Sequence, residues 1–255
     1  MSDLQPSKGY TYTADKGNRI GIPHHNNLAN NMDAAYLAKG REVVVGGIAD
    51  GCGGDGEHSE VSALFFIEWL CDRLLSLLEG KDGLKDIHIE KAVNQLWSEY
   101  IDNIEQMISL RFKGIDHPET QDEKTFSTRF MLHTAVIYIT IYDHIQDCWN
   151  AYIIYRGDGY IAVDNRMLNL ETLDAIKHKG VLYPALALDI YNGDFSSQVQ
   201  SMASQPFNII TVGQSGKQWK RIAVASDGLR FLTSNMLNDV VFPPYKVPSP
   251  SLRKP

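Results

Sequence analysis

Residues 43–48, Val-Val-Val-Gly-Gly-Ile, make a short β-branched run of the kind that becomes a buried strand, and it stops at the polar turn Asp50-Gly51-Cys52-Gly53-Gly54. From 57 to 79 the hydrophobic period changes to that of a helix. Ala63, Phe66, Ile67, Leu70, Leu74 and Leu77 recur at three and four, and Val61, Leu64, Phe65 and Trp69 widen the stripe, so this helix is expected to be buried on most sides. Gly80-Lys81-Asp82-Gly83 interrupts the pattern. A second helix is predicted beyond it, with Ile89, Val93, Leu96, Trp97, Tyr100, Ile104, Met107 and Ile108 along one face.

Residues 112–125 are polar and read as an exposed loop. The next segments, 131–142, 149–156 and 160–164, are rich in Ile, Val, Tyr and Thr, with turns at 143–147 and at Gly157-Asp158-Gly159, which predicts a β-meander. Residues 165–206 carry no dominant period. Two more strands are expected at 207–212 and 221–225 around a turn at 213–217, after which Ser226-Asp227-Gly228 opens a helix with Ser226 or Asp227 as its cap. The chain after 241 has five prolines and reads as irregular. One strand, two adjacent helices and then a run of strands predict an α+β fold and not a doubly wound parallel sheet. With 255 residues, no repeat and no linker, the chain reads as a single domain over 1–255. It is long enough to bury its own core without disulfides or a structural metal.

Composition narrows the function more than the fold. A formal charge of -7 with no Lys/Arg cluster argues against nucleic acid as the partner, because phosphate neutralisation needs a concentrated basic surface. Cys52, Cys71 and Cys148 are odd in number and far apart, which suits a reducing compartment and not a disulfide framework or a zinc site. Residues 1–12 lack the basic-then-apolar pattern of a signal peptide, and the apolar runs are too short or too charged to span a bilayer. The expectation is a cytoplasmic protein with no membrane partner.

Three segments share one design, in which an apolar run ends and delivers an aspartate next to glycine. They are Gly47-Ile48-Ala49-Asp50-Gly51, Tyr155-Arg156-Gly157-Asp158-Gly159 and Val224-Ala225-Ser226-Asp227-Gly228. A carboxylate at a strand end has a stiff backbone behind it, and the glycine lets a ligand or ion approach the main chain. Three such carboxylates are suited to hard divalent cations, which prefer oxygen ligands. Taken singly, each Asp-Gly is also an ordinary turn dipeptide. A nucleotide-phosphate cradle over 46–56 is the weaker reading, since the run lacks both the Gly-Lys-Ser/Thr ending and the Gly-x-Gly-x-x-Gly spacing.

In order, Asn31-Met32-Asp33-Ala34, Asp50-Gly51-Cys52-Gly53-Gly54, Gly157-Asp158-Gly159-Tyr160 and Ala225-Ser226-Asp227-Gly228 resemble the motifs of the metal-dependent serine/threonine protein phosphatases of type 2C, in a bacterial-like form. The resemblance runs over residues 18–239. It implies a four-layer α-β-β-α sandwich, two packed β-sheets flanked by helices, and hydrolysis of phosphoserine or phosphothreonine by a metal-bridged hydroxide. It further implies two Mn2+ or Mg2+ ions, with a third, weaker one in many members.

Carried over by position, Asp50 resembles the carboxylate bridging two ions, and the Gly51 carbonyl a ligand of one of them. Asp227 resembles a ligand of the other, Asp33 an outer or water-mediated ligand, and Asp158 a ligand of the third ion. Asp50 and Asp227 are the catalytic candidates. The implied partners are a phosphorylated protein substrate and a cognate serine/threonine kinase.

Departures from the pattern are specific. Cys52 stands where animal members have a histidine. Leu28 stands where a phosphate-binding arginine is expected, leaving His24 as the candidate phosphate contact and Arg19 as a weaker one. The late Asp-Asn motif is missing, and Asp239 follows Gly228 too closely to replace it. The expectation is a phosphatase of reduced metal affinity. The alternative is an inactive relative that binds and regulates a phosphoprotein or a kinase.

Overall fold

The computed structural model describes residues 33–51, 59–81, 84–102, 133–164, 166–170, 207–212 and 219–227. Ten elements follow one another: β1 (Asp33–Lys39), β2 (Val43–Gly51), α1 (Ser59–Leu78), α2 (Asp86–Asp102), β3 (His133–Asp143), β4 (Cys148–Arg156), β5 (Tyr160–Val163), β6 (Arg166–Asn169), β7 (Asn208–Val212) and β8 (Ile222–Ala225). The strands form two antiparallel sheets, one of order β1-β2-β3-β4-β7 and one of order β6-β5-β8. The fold is α+β with two packed sheets. Among the described residues the helices cover one outer face; the second helical layer that the resemblance implies is an expectation that falls outside them.

Side-chain alternation explains why the large sheet is apolar on both faces. Val43, Val45 and Ala49 of β2, Ile137, Ile139 and Ile141 of β3, and Tyr152 and Ile154 of β4 turn to the helices and share one core with Phe66, Ile67, Leu70 and Leu74. The residues between them, Val136 on β3 and Ile153 and Tyr155 on β4, turn the other way and pack with Ile161, Val224 and Ile222 of the small sheet. A strand buried on both sides reads as a continuous apolar run, which is why residues 43–48 and 131–142 stand out in the sequence.

Helix α1 lies on β1 and β2, and Gly47 is the reason it can lie close. A Cβ there would meet Ile67 Cδ1 of α1 at 2.8 Å and the Val136 carbonyl oxygen at 2.8 Å. The wide stripe expected of α1 is only partly realised. Ala63, Phe66, Ile67, Leu70, Cys71, Leu74 and Leu78 are buried, whereas Leu64 is exposed. Helix α2 joins α1 through the Phe66–Tyr100 and Trp69–Tyr100 ring contacts and the Arg73–Glu99 ion pair at 2.6 Å. The first turn of α2 is closed at Lys85, whose N–H donates to His88 Nδ1 at 3.0 Å and whose carbonyl accepts from the His88 N–H at 2.8 Å. Glu79, at the end of α1, accepts from the Arg41 and Glu42 N–H groups and holds the β1–β2 turn.

Three expectations are corrected. Segments 131–142, 149–156 and 160–164 do not form one meander: β3 and β4 are a hairpin of the large sheet, but β5 belongs to the small one. The chain changes sheets at Gly157-Asp158-Gly159, where Gly157 has φ 93° and Gly159 φ 129°, a backbone that only glycine takes without strain. The segments 207–212 and 221–225 are also split, with β7 pairing β4 and β8 pairing β5. Finally, β1 and β6 are strands that no periodicity signals. The 112–125 loop, the second half of the second helix beyond 102, the 213–217 turn, the helix after Gly228 and the tail lie outside the described residues.

Candidate functional site

Antiparallel register places Asp33 of β1 directly opposite Asp50 of β2, and Thr134 of β3 opposite Asp50 on its other side. Residues opposite one another in such a ladder share a face. Asp50 stands two residues beyond Ile48, which packs in the core between the sheets, so the Asp33 and Asp50 carboxylates face the small sheet and not the helices. At the same end of the small sheet, β5 begins and β8 ends, with Tyr160 paired to Ala225. Asp158 immediately precedes β5 and Asp227 follows β8. The strand directions thus bring four carboxylates from four separate segments to one end of the sandwich.

Two observations establish how close they are. Ser226 Oγ donates to Asp33 Oδ2 at 2.9 Å and ties the end of β8 to the start of β1. Asp50 is pushed up to about 9, chiefly by burial, then by the charge of Asp33 and a hydrogen bond with it, and further by Asp227 and Asp158. A carboxyl that far above its ordinary range holds its proton at neutral pH and shares it with Asp33. A cation bound there would favour the ionised form of Asp50.

The donors are all oxygens, the composition suited to Mg2+ or Mn2+ and not to zinc or copper. As placed, no three His, Cys, Asp or Glu side chains among the described residues converge on a single metal position. The arrangement is a ring of carboxylates around Asp50, not a closed coordination shell.

The Gly51 residue is the last of β2, buried and paired with His133. On the helix side of the sheet below it, Ser62 of α1 shares a buried 2.8 Å hydrogen bond with His133 Nδ1. Burial first, and then the neighbouring Arg156, lower His133 to about 3, so it is a neutral ring at working pH. Arg156 lies over the Trp97 ring at 4.5 Å from its centroid and is 2 % exposed. This cluster supports the strand ends from behind; the carboxylates occupy the opposite face.

Of the residues singled out in the sequence, Asp33, Asp50, Asp158 and Asp227 are brought together. His24, Arg19, Leu28, Cys52 and Asp239 lie outside the described residues. The helix that Ser226 or Asp227 is expected to cap lies outside the described residues; the Ser226 hydroxyl donates to Asp33. No local sequence signal marks that role, because the contact spans 193 positions in the chain.

No helix among the described residues is long and apolar enough to cross a membrane. No protein-family model and no curated protein matches the chain. Among solved structures, the phosphatase domain of the cell fate determinant SpoIIE from Bacillus subtilis aligns with 78 % of this chain and 61 % of its own, at 12 % identity and a TM-score of 0.34. A SpoIIE fragment comprising the PP2C phosphatase domain and part of the regulatory domain aligns over 54 % and 31 %, at 14 % identity and 0.27. The serine/threonine phosphatase PstP/Ppp from Mycobacterium tuberculosis aligns over 85 % and 80 %, at 9 % identity and 0.36. The chain spans about three fifths of the first of these and under a third of the second. What it is similar to in structure is a group of bacterial PP2C-type phosphatase domains.

Proposed function

We propose that the protein is a metal-dependent phosphoprotein phosphatase acting on phosphoserine and phosphothreonine. The observation that carries the reading is the meeting of Asp33, Asp50, Asp158 and Asp227 at one end of the sandwich, with Asp50 buried among the other three. Asp33, Asp227 and Asp158 each oppose the ionisation of Asp50. A structure keeps such an arrangement when a cation offsets the charge.

Asp50 and Asp227, with the Gly51 carbonyl, would hold a pair of divalent ions; Asp158 would serve a third and Asp33 would act through water. Bound there, the ions supply a water acidic enough to attack phosphorus near neutral pH and positive charge for the phosphoryl oxygens. The chain's own residues do the rest. Asp50, fixed by β2 between β1 and β3, holds the centre of the site. Ser226 fixes one oxygen of Asp33, which also shares a hydrogen bond with Asp50. Gly159 lets β5 start against the Ala225 carbonyl, where a Cβ would meet that oxygen at 2.8 Å. His24 is assigned a phosphate contact on its sequence position alone.

The test is hydrolysis of an aryl phosphate and of a phosphothreonine peptide against manganese concentration. With the late Asp-Asn ligand missing, activity should saturate only at about millimolar metal, since fewer charged ligands weaken a hard-cation site. Asp50→Asn should lower kcat by about a hundredfold or more, because it removes the central charge of the site, and Asp158→Asn should lower it less. Absence of turnover at every manganese concentration, or an unchanged Asp50→Asn, would overturn the reading.

A further inference from the structure

His133, the first residue of β3, pairs with Gly51, the last residue of β2, so the two form the terminal rung of that ladder. The next rung inward is Thr134 opposite Asp50. Terminal rungs fray, and Gly51 has no side chain with which to anchor itself. Its partner does. The His133 ring turns to the helices, where its Nδ1 shares a hydrogen bond of 2.8 Å with Ser62 Oγ. Both residues are 0 % exposed, so the bond is made out of contact with water. The rings of Phe66 and Tyr100 stand with their centroids 4.6 and 6.4 Å from that of the imidazole and hold it in one orientation. Helix α1 is the element that follows β2 in the chain. One residue, His133, therefore meets both the end of the strand through its backbone and the first turns of the following helix through its side chain.

Packing alone does not account for this pair. Nε2 of His133 is buried without a hydrogen-bond partner, which costs the fold stability. Two apolar side chains of the same shape would fill the space with no nitrogen left over, at little loss or even a gain. What a hydrogen bond adds is direction, and direction matters at a strand end that carries Asp50 and the Gly51 carbonyl.

We propose that His133 and Ser62 are positioning residues for the carboxylate site: their buried hydrogen bond fixes the terminal Gly51–His133 rung, and through it the Gly51 carbonyl and the adjoining Asp50, so that the pair sets metal affinity from the far side of the sheet. The inference rests on the metal-dependent function proposed above.

The test uses the full chain with Mn2+ as the probe. Isothermal titration of Ser62→Ala should show Mn2+ held about tenfold more weakly than by the unaltered protein, the loss typical of a group that orients a metal ligand without touching the metal. Ser62→Thr, which keeps the hydroxyl, should recover most of that loss, and His133→Leu, which removes the other partner, should reproduce it. Ile139→Val, a core change further along β3, should lower the melting temperature and leave Mn2+ affinity as it was. A second readout needs no metal: hydrogen exchange at the end of the 43–51 segment, read by mass spectrometry, should quicken in Ser62→Ala and not in Ile139→Val. Unchanged Mn2+ affinity in Ser62→Ala, no recovery in Ser62→Thr, or an equal loss in Ile139→Val would each overturn the proposal and leave the phosphatase reading in place. No Mn2+ binding by the unaltered protein would overturn that reading, and the positioning role with it.

Discussion

Asp50 shows how one side chain can be costly to the fold and central to the site. Burial and three neighbouring carboxylates hold its proton on, so a neutral amide of the same shape should relieve the fold while removing the site's charge. Asp50→Asn is expected to raise the melting temperature in chelator, by about 2–4 °C for each kcal/mol relieved, and, under the proposed function, to lack the Mn2+ stabilisation expected of the unaltered protein. Differential scanning fluorimetry with and without Mn2+ checks both halves. His133 acts in the opposite sense. Its proton affinity is lowered in the folded state, to about 3, so between about 6.5 and 3 the unfolded chain takes up a proton that the folded chain refuses, and stability is lost as pH falls through that window. The groups around it are Ser62 of α1, Phe66 and Tyr100 of the two helices and Arg156 of β4. In His133→Phe, which cannot be protonated, urea unfolding between pH 4 and 7 should lose that part of the pH slope.

At the scale of elements, the long strands and both helices were legible because their periods are strong and each is backed by a core on the expected side. What escaped the sequence were β1 and β6, although the short β5, β7 and β8 were read. Asp33-Ala34-Ala35-Tyr36-Leu37-Ala38-Lys39 is half-buried along most of its length and has no β-branched residue, so β1 exists because β2 offers a pairing edge, not because of its own propensity. In the same way β6, Arg166-Met167-Leu168-Asn169, is largely exposed and depends on β5. The switch of β5 to the second sheet was hidden in a dipeptide pattern that looks like any turn; only the φ values of Gly157 and Gly159 distinguish it. Asp50, Asp158 and Asp227 were legible as aspartates that end apolar runs and Asp33 only through the family resemblance, while their geometry was not legible, since Ser226 reaches Asp33 through pairing that no local window contains. Close packing at Gly47 gives an element-scale prediction. Gly47→Ala should destabilise the protein by about 1–3 kcal/mol through overpacking between β2 and α1, measured by urea unfolding; an unchanged midpoint would mean that α1 moves away freely.

Over the whole molecule, the carboxylates lie at one end of the inter-sheet core, and the helices cover the other face of the large sheet. The five-stranded sheet stands between the inter-sheet core and the helices. It is buried on both faces, with Val45, Ile137 and Ile154 fully buried on the helix side and Val136 and Ile153 on the other, and its rigidity is what keeps the strand-end aspartates in register.

The hydrogen bond from Ser226 to Asp33 joins positions 193 residues apart, and that separation has a kinetic consequence. Closing so long a loop brings little return until the β1–β4 ladder and the small sheet have both formed, so the contact belongs to the last stage of folding. Its loss should leave the refolding rate almost unchanged and appear instead in the unfolding arm. Ser226→Ala is expected to speed unfolding about three- to tenfold, the rate equivalent of the ~1 kcal/mol of a lost hydrogen bond to a carboxylate. Stopped-flow chevrons of the two proteins measure it, and a matching drop in the folding rate would place this latch in the nucleus. A site closed last on folding is opened first on unfolding, so the carboxylate cluster should exchange its surroundings with solvent while the two sheets are still intact.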